Sequence, residues 1–198
     1  MSPLPDIEMI LHNVAAHPYH SLIDGKDAYE QIRVEPEHVP CTLFTTPDGT
    51  MVSEVMQMGD CNGGATYQTL MTYIFAPYIG VYMDVYMDDI VIYSDTPEDH
   101  ITHVKSVLDI LRKEQLYLSE EKLHFFVECL KILGHVIDSK GIAMDPNKVN
   151  SILNWKIPTN RDLLAGFLGA VGYLASGCHD VRIPMGCLTK LTSKSTPW

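Results

Sequence analysis

VYMDVYMDDIVIYS, residues 81–94, decides how the rest of this 198-residue chain is read. Two apolar, β-prone runs, residues 81–85 and 90–93, flank Tyr86-Met87-Asp88-Asp89. Strand-prone runs on both sides of a short polar break predict a β-hairpin with an acidic tip. Aspartate is a poor strand residue, so two in a row need a reason. Adjacent buried carboxylates repel unless a positive charge sits between them. A divalent cation is the commonest such charge where phosphate is handled.

The composition, 46% hydrophobic and 20% charged, is that of a globular protein long enough for one sizeable core or a core with an appendage. No apolar run approaches the roughly 18 residues of a membrane span, and the first ten residues lack the basic start and long apolar core of a secretion signal. An intracellular protein with no membrane partner is expected, with cytoplasm and nucleus both open. Five cysteines without CxxC spacing are expected to be reduced thiols. The net charge of −11 excludes nucleic-acid binding through a generally basic surface. Any grip on nucleic acid must be local or come from residues outside the chain.

Outward from the hairpin, residues 5–16 carry helical spacing. Residues 19–24 predict a strand that ends in the turn Asp24-Gly25-Lys26-Asp27, and residues 28–32 a short helical segment. Residues 42–45 and 51–56 predict a hairpin about Pro47-Asp48-Gly49. A glycine loop at 59–64 leads into an apolar helix at 65–79. Thr96-Pro97-Glu98-Asp99 is a strong helix start, and the helix to about residue 115 shows a stripe of Ile101, Val104, Val107, Leu108 and Leu111. Residues 129–137 predict one strand, turned by Ser139-Lys140-Gly141 into a second at 142–144. Helices follow from Asp145-Pro146, at 163–174, and within 181–198. The first 144 residues thus predict a sheet with helices on one side, and the remainder a helical subdomain.

Phosphoryl transfer on two metal ions needs acids that hold the ions about 4 Å apart. Asp24, at the end of a predicted strand, is the best third carboxylate beside Asp88 and Asp89. The turn after it can receive a phosphate chain on its backbone N–H groups.

Asp24 with Tyr29 five residues on, a glycine loop entering a helix, and YMDD on a hairpin resemble a reverse transcriptase palm. The ordered blocks are closest to reverse transcriptases of gypsy-type LTR retrotransposon Pol polyproteins. DAYEQIRVEPEHVPCTLFTTPDG (27–49) resembles the first block, MGDCNGGATYQTLM (58–71) the second and YMDDIVIYS (86–94) the third. KILGHVIDSKGIAMDPNKV (131–149) and NWKIPTNRDLLAGFLGAVGYL (154–174) resemble the primer grip and thumb.

The resemblance implies an α+β fold: a palm over 1–144, with an antiparallel sheet, helices and only partial fingers, then a small helical thumb over 145–198 that leads toward an RNase H region. The implied function is RNA-directed DNA polymerase, with a primer 3′-hydroxyl attacking the α-phosphate of a deoxynucleoside triphosphate. Asp24, Asp88 and Asp89 would be the catalytic acids and ligands of two magnesium ions, manganese being the alternative metal. Asp27, Ala28, Tyr29, Met58 and Gly59 would meet the nucleotide, the Tyr29 ring disfavouring a 2′-hydroxyl. Tyr86, Met87, Leu133, Gly134 and His135 would meet the primer. Implied partners are an RNA or DNA template with its primer, dNTPs, and the fingers, RNase H and integrase parts of a Pol polyprotein.

The chain departs from the family at Gln57-Met58-Gly59, where a Pro-aromatic-Gly is usual, and at Asn62-Gly63-Gly64, where Asn-Ala-Pro is usual. Two glycines predict a looser loop there. Asp84 replaces an apolar residue. Roughly 13 Å of strand separates it from Asp88, so it is expected away from the metals or at the surface.

Blander readings stand beside these. YMDD alone could be a solvated acidic turn, Asp24 a turn former and Tyr29 a packing residue. His100 and His103 predict a solvated helix face rather than a zinc pair. Gly166, Gly169 and Gly172 predict tight helix packing, and Lys105, Arg112 and Lys113 a solvated face. For the chain as a whole, the alternative to a polymerase is a catalytically silent, truncated retrotransposon remnant or a host-retained interaction module. A nucleotide cyclase with a related palm lacks the C-terminal blocks.

Overall fold

The computed structural model describes residues 4–173, 175, 178–193 and 196. The chain divides into two compact units, Met1–Leu130 with Ile137–Lys140, and Lys131–Val136 with Gly141–Trp198.

The first unit is built on a four-stranded sheet in the spatial order β4 (Met83–Tyr86), β5 (Asp89–Ser94), β1 (Tyr19–Asp24) and β6 (His124–Val127). β1 (Tyr19–Asp24) lies antiparallel to β5 (Asp89–Ser94), in register from Tyr19 opposite Ser94 to Asp24 opposite Asp89. β4 (Met83–Tyr86) pairs on the other side of β5, with Tyr86 opposite Asp89. The hairpin expected from residues 81–94 is therefore formed, with Met87 and Asp88 as its turn. Successive side chains alternate faces. Ile23, Met83, Val85, Ile90 and Ile92 point to one face and pack against Met71 and Phe75 of α2 (Gly63–Phe75) and Val104, Val107 and Leu111 of α3 (Pro97–Lys113). Each such aliphatic side chain contributes about 1.5–3 kcal/mol on burial. Thr96 caps α3 by accepting from the Asp99 amide at 3.2 Å, as its start signal predicts.

Helices cover both faces, not one. α1 (Ile7–Ala15) lies against the opposite face: its Val14 carbonyl is 2.9 Å from His20 Nε2, and Asn13 Nδ2 donates to Asp84 Oδ2 at 2.9 Å. Asp84 is accordingly buried, at 2% exposure, and also accepts from the Tyr93 hydroxyl at 3.0 Å. Burial raises its pKa against the bonds from Asn13, Tyr93 and the Gly80 backbone. It is a polar tie between α1 and the sheet, not a surface acid.

The two histidines of α3 are not solvated either. His100 is fully buried, 2.7 Å from Ser21 Oγ and 2.8 Å from Ser94 Oγ. His103 stacks on Tyr82 with ring centroids 4.0 Å apart. The buried stripe of α3 is His100, Val104, Val107 and Leu111, while Ile101 is exposed.

Three further differences are local. β2 (Phe44–Thr46) and β3 (Gly49–Met51) form the hairpin about Asp48 but stop at Met51. β6 (His124–Val127) is an edge strand that the sequence reading lacks, joined to β1 through an irregular register at His20 and Leu22. The single strand expected at 129–137 is two, β7 (Leu130–Ile132) and β8 (His135–Asp138). Leu133 and Gly134 turn between them with φ of 47° and 68°, the positive values a tight two-residue hairpin demands. β9 (Gly141–Met144) completes a three-stranded sheet in the order β7-β8-β9.

In the second unit α5 (Arg161–Tyr173) packs on α4 (Pro146–Leu153) and α6 (Arg182–Lys190), burying Leu164, Leu168 and Val171. The tight packing expected at the three glycines is not found: a Cβ at Gly172 would make an ordinary 3.5 Å contact with Met185, and Gly166 and Gly169 face open space. Residues 174, 194, 195, 197 and 198 of the expected helices lie outside the described residues. Among the described residues no helix is long and apolar enough to cross a membrane, and the five cysteines are free and exposed.

Candidate active site

The register of β1 on β5 brings Asp24 directly opposite Asp89 at one end of the sheet. Paired residues share a face, so the two carboxylates are cross-strand neighbours of like charge, a destabilising arrangement by itself. Asp88 joins them through the backbone, its carbonyl accepting from the Gly25 amide at 3.2 Å. The three acids named from the sequence thus lie near one another, the charges of Asp88 and Asp24 both acting on Asp89. Burial, then the charges of Asp88 and Asp24, push the Asp89 carboxyl up to about 6, while Lys122 opposes the rise.

The turn carrying Asp88 is under conformational tension. Met87 has a φ of 54°, which costs a side-chain-bearing residue roughly 1–2 kcal/mol. Gln68 of α2, 1% exposed, holds it there. Its Oε1 accepts from the Met87 amide at 2.6 Å and its Nε2 donates to the Val85 carbonyl at 3.1 Å. The sequence reading missed Gln68; the available signal was a lone amide inside an otherwise apolar helix.

Tyr67, one residue earlier, is also buried, and the Gly25 Cα lies so near that an added Cβ would meet its hydroxyl at 3.0 Å. Burial, with the charges of Asp88 and Asp24, raises Tyr67 to about 12. Its phenol therefore stays protonated beside the acids.

Tyr29 follows the turn on a 3₁₀ segment, Ala28–Gln31, that begins at Asp27 with a left-handed φ of 46°. Its ring sits 5.9 Å from that of Tyr67 and against Gly63, where a Cβ would lie 3.4 Å from it. At Gly64 a Cβ would come within 2.9 Å of Met87 Cε. The two glycines are the first residues of α2, not part of a loose loop. Their missing side chains leave room for the Tyr29 ring and the Met87 side chain. Met58 is 84% exposed and Gly59 has a φ of 106°, in the loop ahead of α2. Tyr86 closes β4 opposite Asp89. Leu133, Gly134 and His135 belong to the second unit. There Gly134 lies under the Tyr173 ring, and His135 Nδ1 is 2.7 Å from the Leu133 carbonyl.

A second missed residue is the nearest cation. Lys122 Nζ donates to both oxygens of Asp24 at 3.1 Å, and that bond, then the Asp24 charge, raises the lysine's pKa. No periodicity marks this position. Backbone bonds place it: Lys26 N–H donates to the Tyr117 carbonyl at 3.0 Å and Ser119 N–H to the Asp24 carbonyl at 3.1 Å. Gln31 adds side-chain bonds to the Lys26 and Tyr117 carbonyls and accepts from the Tyr117 amide at 2.7 Å. Together they frame a hollow of about 500 Å³ lined by Asp24, Lys26, Asp27, Glu120, Glu121 and Lys122. Four acids against two lysines leave it negative.

The donor chemistry fits a hard divalent ion, since all three acids offer oxygen. The arrangement as it stands is not a finished cage. Among the described residues no group of three or more His, Cys, Asp or Glu is set to hold a metal, and Lys122 occupies both Asp24 oxygens.

Comparison with known proteins shows the family of the chain. The chain is 31% identical over 198 residues to the retrovirus-related Pol polyprotein from transposon 297 of Drosophila melanogaster, covering 98% of this chain and 19% of that protein. It is 33% identical over 196 residues to the transposon Tf2-3 polyprotein of Schizosaccharomyces pombe, covering 99% and 15%. The chain thus spans a fifth or less of these relatives. Its fold matches the foamy viral protease-reverse transcriptase in complex with dsDNA at a TM-score of 0.76 and 21% identity, over 87% of this chain and 36% of that one. The same enzyme in complex with an RNA/DNA hybrid matches at 0.76 and 22%, over 87% and 23%. Residues 2–137 match the family described as reverse transcriptase (RNA-dependent DNA polymerase), and the chain belongs to that family.

Proposed function

We propose that the chain is the palm and thumb of an RNA-directed DNA polymerase that joins deoxynucleotides to a primer 3′-hydroxyl on two magnesium ions. The observation that carries this reading is the Asp24–Asp89 pair with Asp88 tied to Gly25. Its template would be RNA or DNA with an annealed primer. The fingers, RNase H and integrase of a Pol polyprotein would be its natural neighbours, as they are implied by the family. The palm would span residues 1–144 and the thumb 145–198.

Asp24 and Asp88 would hold the ions and Asp89 would complete the acidic cluster. Two divalent ions at such a site supply activation of the attacking oxygen and stabilisation of the leaving pyrophosphate. The residues' own contribution is position. Gln68 holds the Met87 turn, and with it the direction of Asp88. Tyr29, backed by Gly63 and Tyr67, would present its ring to the sugar, where a 2′-hydroxyl would collide. The turn at Asp27 and Ala28, with Met58 and Gly59, would border the triphosphate. The hollow beside Asp24 is net negative, so a phosphate chain would enter it only with cations. Tyr86 and Met87 would meet the primer end, and Leu133, Gly134 and His135 would form its grip.

The test is magnesium-dependent primer extension on an RNA template, by this chain alone and with a fingers segment supplied. Asp88→Asn is expected to lower extension at least about a thousandfold, the scale of a lost electrostatic contact to the reacting centre. Extension at the unmutated rate would remove Asp88 from the mechanism. A second reading, a catalytically silent family member, is favoured by one feature, the Lys122 contact that closes Asp24.

A further inference from the structure

We propose that Lys122 is a built-in counter-ion of Asp24 that a divalent metal must displace, so that this lysine sets the metal affinity of the acidic cluster by direct competition. The inference rests on the metal-site reading above and adds a regulator to it.

The lysine is aimed, not adventitious. Its ammonium bridges both Asp24 oxygens at equal distances of 3.1 Å. The segment that carries it is pinned to the Asp24 strand end by the Lys26–Tyr117 and Ser119–Asp24 backbone bonds and by the Gln31 side chain. Asp24 contributes only 12% of its side chain to solvent, whereas that of Lys122 is 62% exposed. The acid is fixed and enclosed; the lysine enters from the solvent side on a flexible stem and can leave the same way. Each Asp24 oxygen keeps a free lone pair, but the ammonium sits where an ion chelated by both oxygens would sit, and a cation at that point repels another. Displacement would free both oxygens at once and turn the ammonium toward the rest of the hollow it lines with Lys26, where phosphate oxygens need positive charge.

The experiment is manganese titration of the full chain, followed by electron paramagnetic resonance of the free ion, without nucleic acid or nucleotide. Lys122→Met keeps the apolar stem and removes the charge. It is expected to tighten manganese binding roughly two- to fivefold, the size of one partly exposed ion pair. Lys26→Met removes a charge from the same hollow without touching Asp24, and is expected to change binding by less than about twofold. Lys122→Arg should leave binding at or below the unmutated level. Unchanged or weaker binding in Lys122→Met overturns the proposal, as does an equal gain in Lys26→Met, which would reduce the effect to net charge. Asp88→Asn separates the two claims: manganese bound as tightly without Asp88 removes the carboxylate site itself. Circular dichroism on each variant checks that the fold is kept, which the exposure of Lys122 leads us to expect.

Discussion

β1 and β5 run antiparallel from the Tyr19–Ser94 pair to the Asp24–Asp89 pair, and ionisable side chains lie beneath the surface at both ends. At the first end the group is His100, fully buried between Ser21 and Ser94. Burial, then the neighbouring His103 and His20, holds its pKa down at about 4, so it is neutral at pH 7 and its two ring nitrogens are both bonded. At the second end Asp24 and Asp89 lie opposite each other with Asp88 beside them, and among the described residues Lys122 is the cation bonded to this cluster, at Asp24. The same pair of strands therefore carries one buried group, His100, with both ring nitrogens bonded within the chain, and one acidic cluster whose carboxylates outnumber the cation bonded to them. A cluster complete in itself stabilises the fold, whereas one left short of positive charge is suited to take a cation from outside.

Breaking the complete end should cost the most stability. His100→Leu removes the bonds to both serines and leaves their hydroxyls with fewer partners in a dry interior. A loss of about 2–4 kcal/mol in urea unfolding is expected. A change under about 0.5 kcal/mol would mean that the His100 network does not hold the sheet to α3.

The contrast between the ends was only partly legible in the sequence. Asp24, Asp88 and Asp89 could be placed because strand ends and turns carry strong local chemistry, and β1 has the bounds its residues predict. His100 could not. Counting apolar positions put Ile101 on the buried stripe, but the helix is turned so that His100, Val104, Val107 and Leu111 face the sheet. A histidine becomes a core residue only when partners such as Ser21, 79 positions away, arrive to bond it. β6 was missed because Phe125 and Phe126 are both partly exposed on an edge strand that does not alternate. Lys122 was missed because its place is set by backbone bonds to a distant turn. Long-range contacts, not weak local signals, account for these three.

At the acidic end, Gln68→Leu tests whether the turn is held or merely tolerated. Leucine orphans the Met87 amide and the Val85 carbonyl and removes the clamp on a left-handed residue. A loss of about 2 kcal/mol is expected, with faster amide hydrogen exchange concentrated at residues 85–89. Loss of stability with exchange spread evenly through the sheet would show a packing defect instead and deny Gln68 its positioning part.

The smallest effect should have the opposite sign. Asp89 ionises in the folded chain near pH 6, against 3.8 for an ordinary aspartate. Between those values the folded chain keeps a proton that the unfolded chain has lost, so this group contributes stability below about pH 4 that disappears as pH rises through 6. His100 does the reverse: its depressed pKa, about 4 against 6.5, contributes stability above pH 6.5 that is lost as pH falls toward 4. Asp89→Asn removes only the first dependence. The variant should be more stable than the unmutated chain by about 1 kcal/mol at pH 7, allowing for solvent screening of a partly exposed group. The gain should shrink to nothing near pH 4, leaving a steeper loss on acidification that belongs to His100. Urea midpoints at half-unit steps from pH 4 to 7.5 read both slopes. A gain that does not depend on pH would mean that Asp89 is not strained by its charge, and the two ends of the sheet would then differ in chemistry but not in energy.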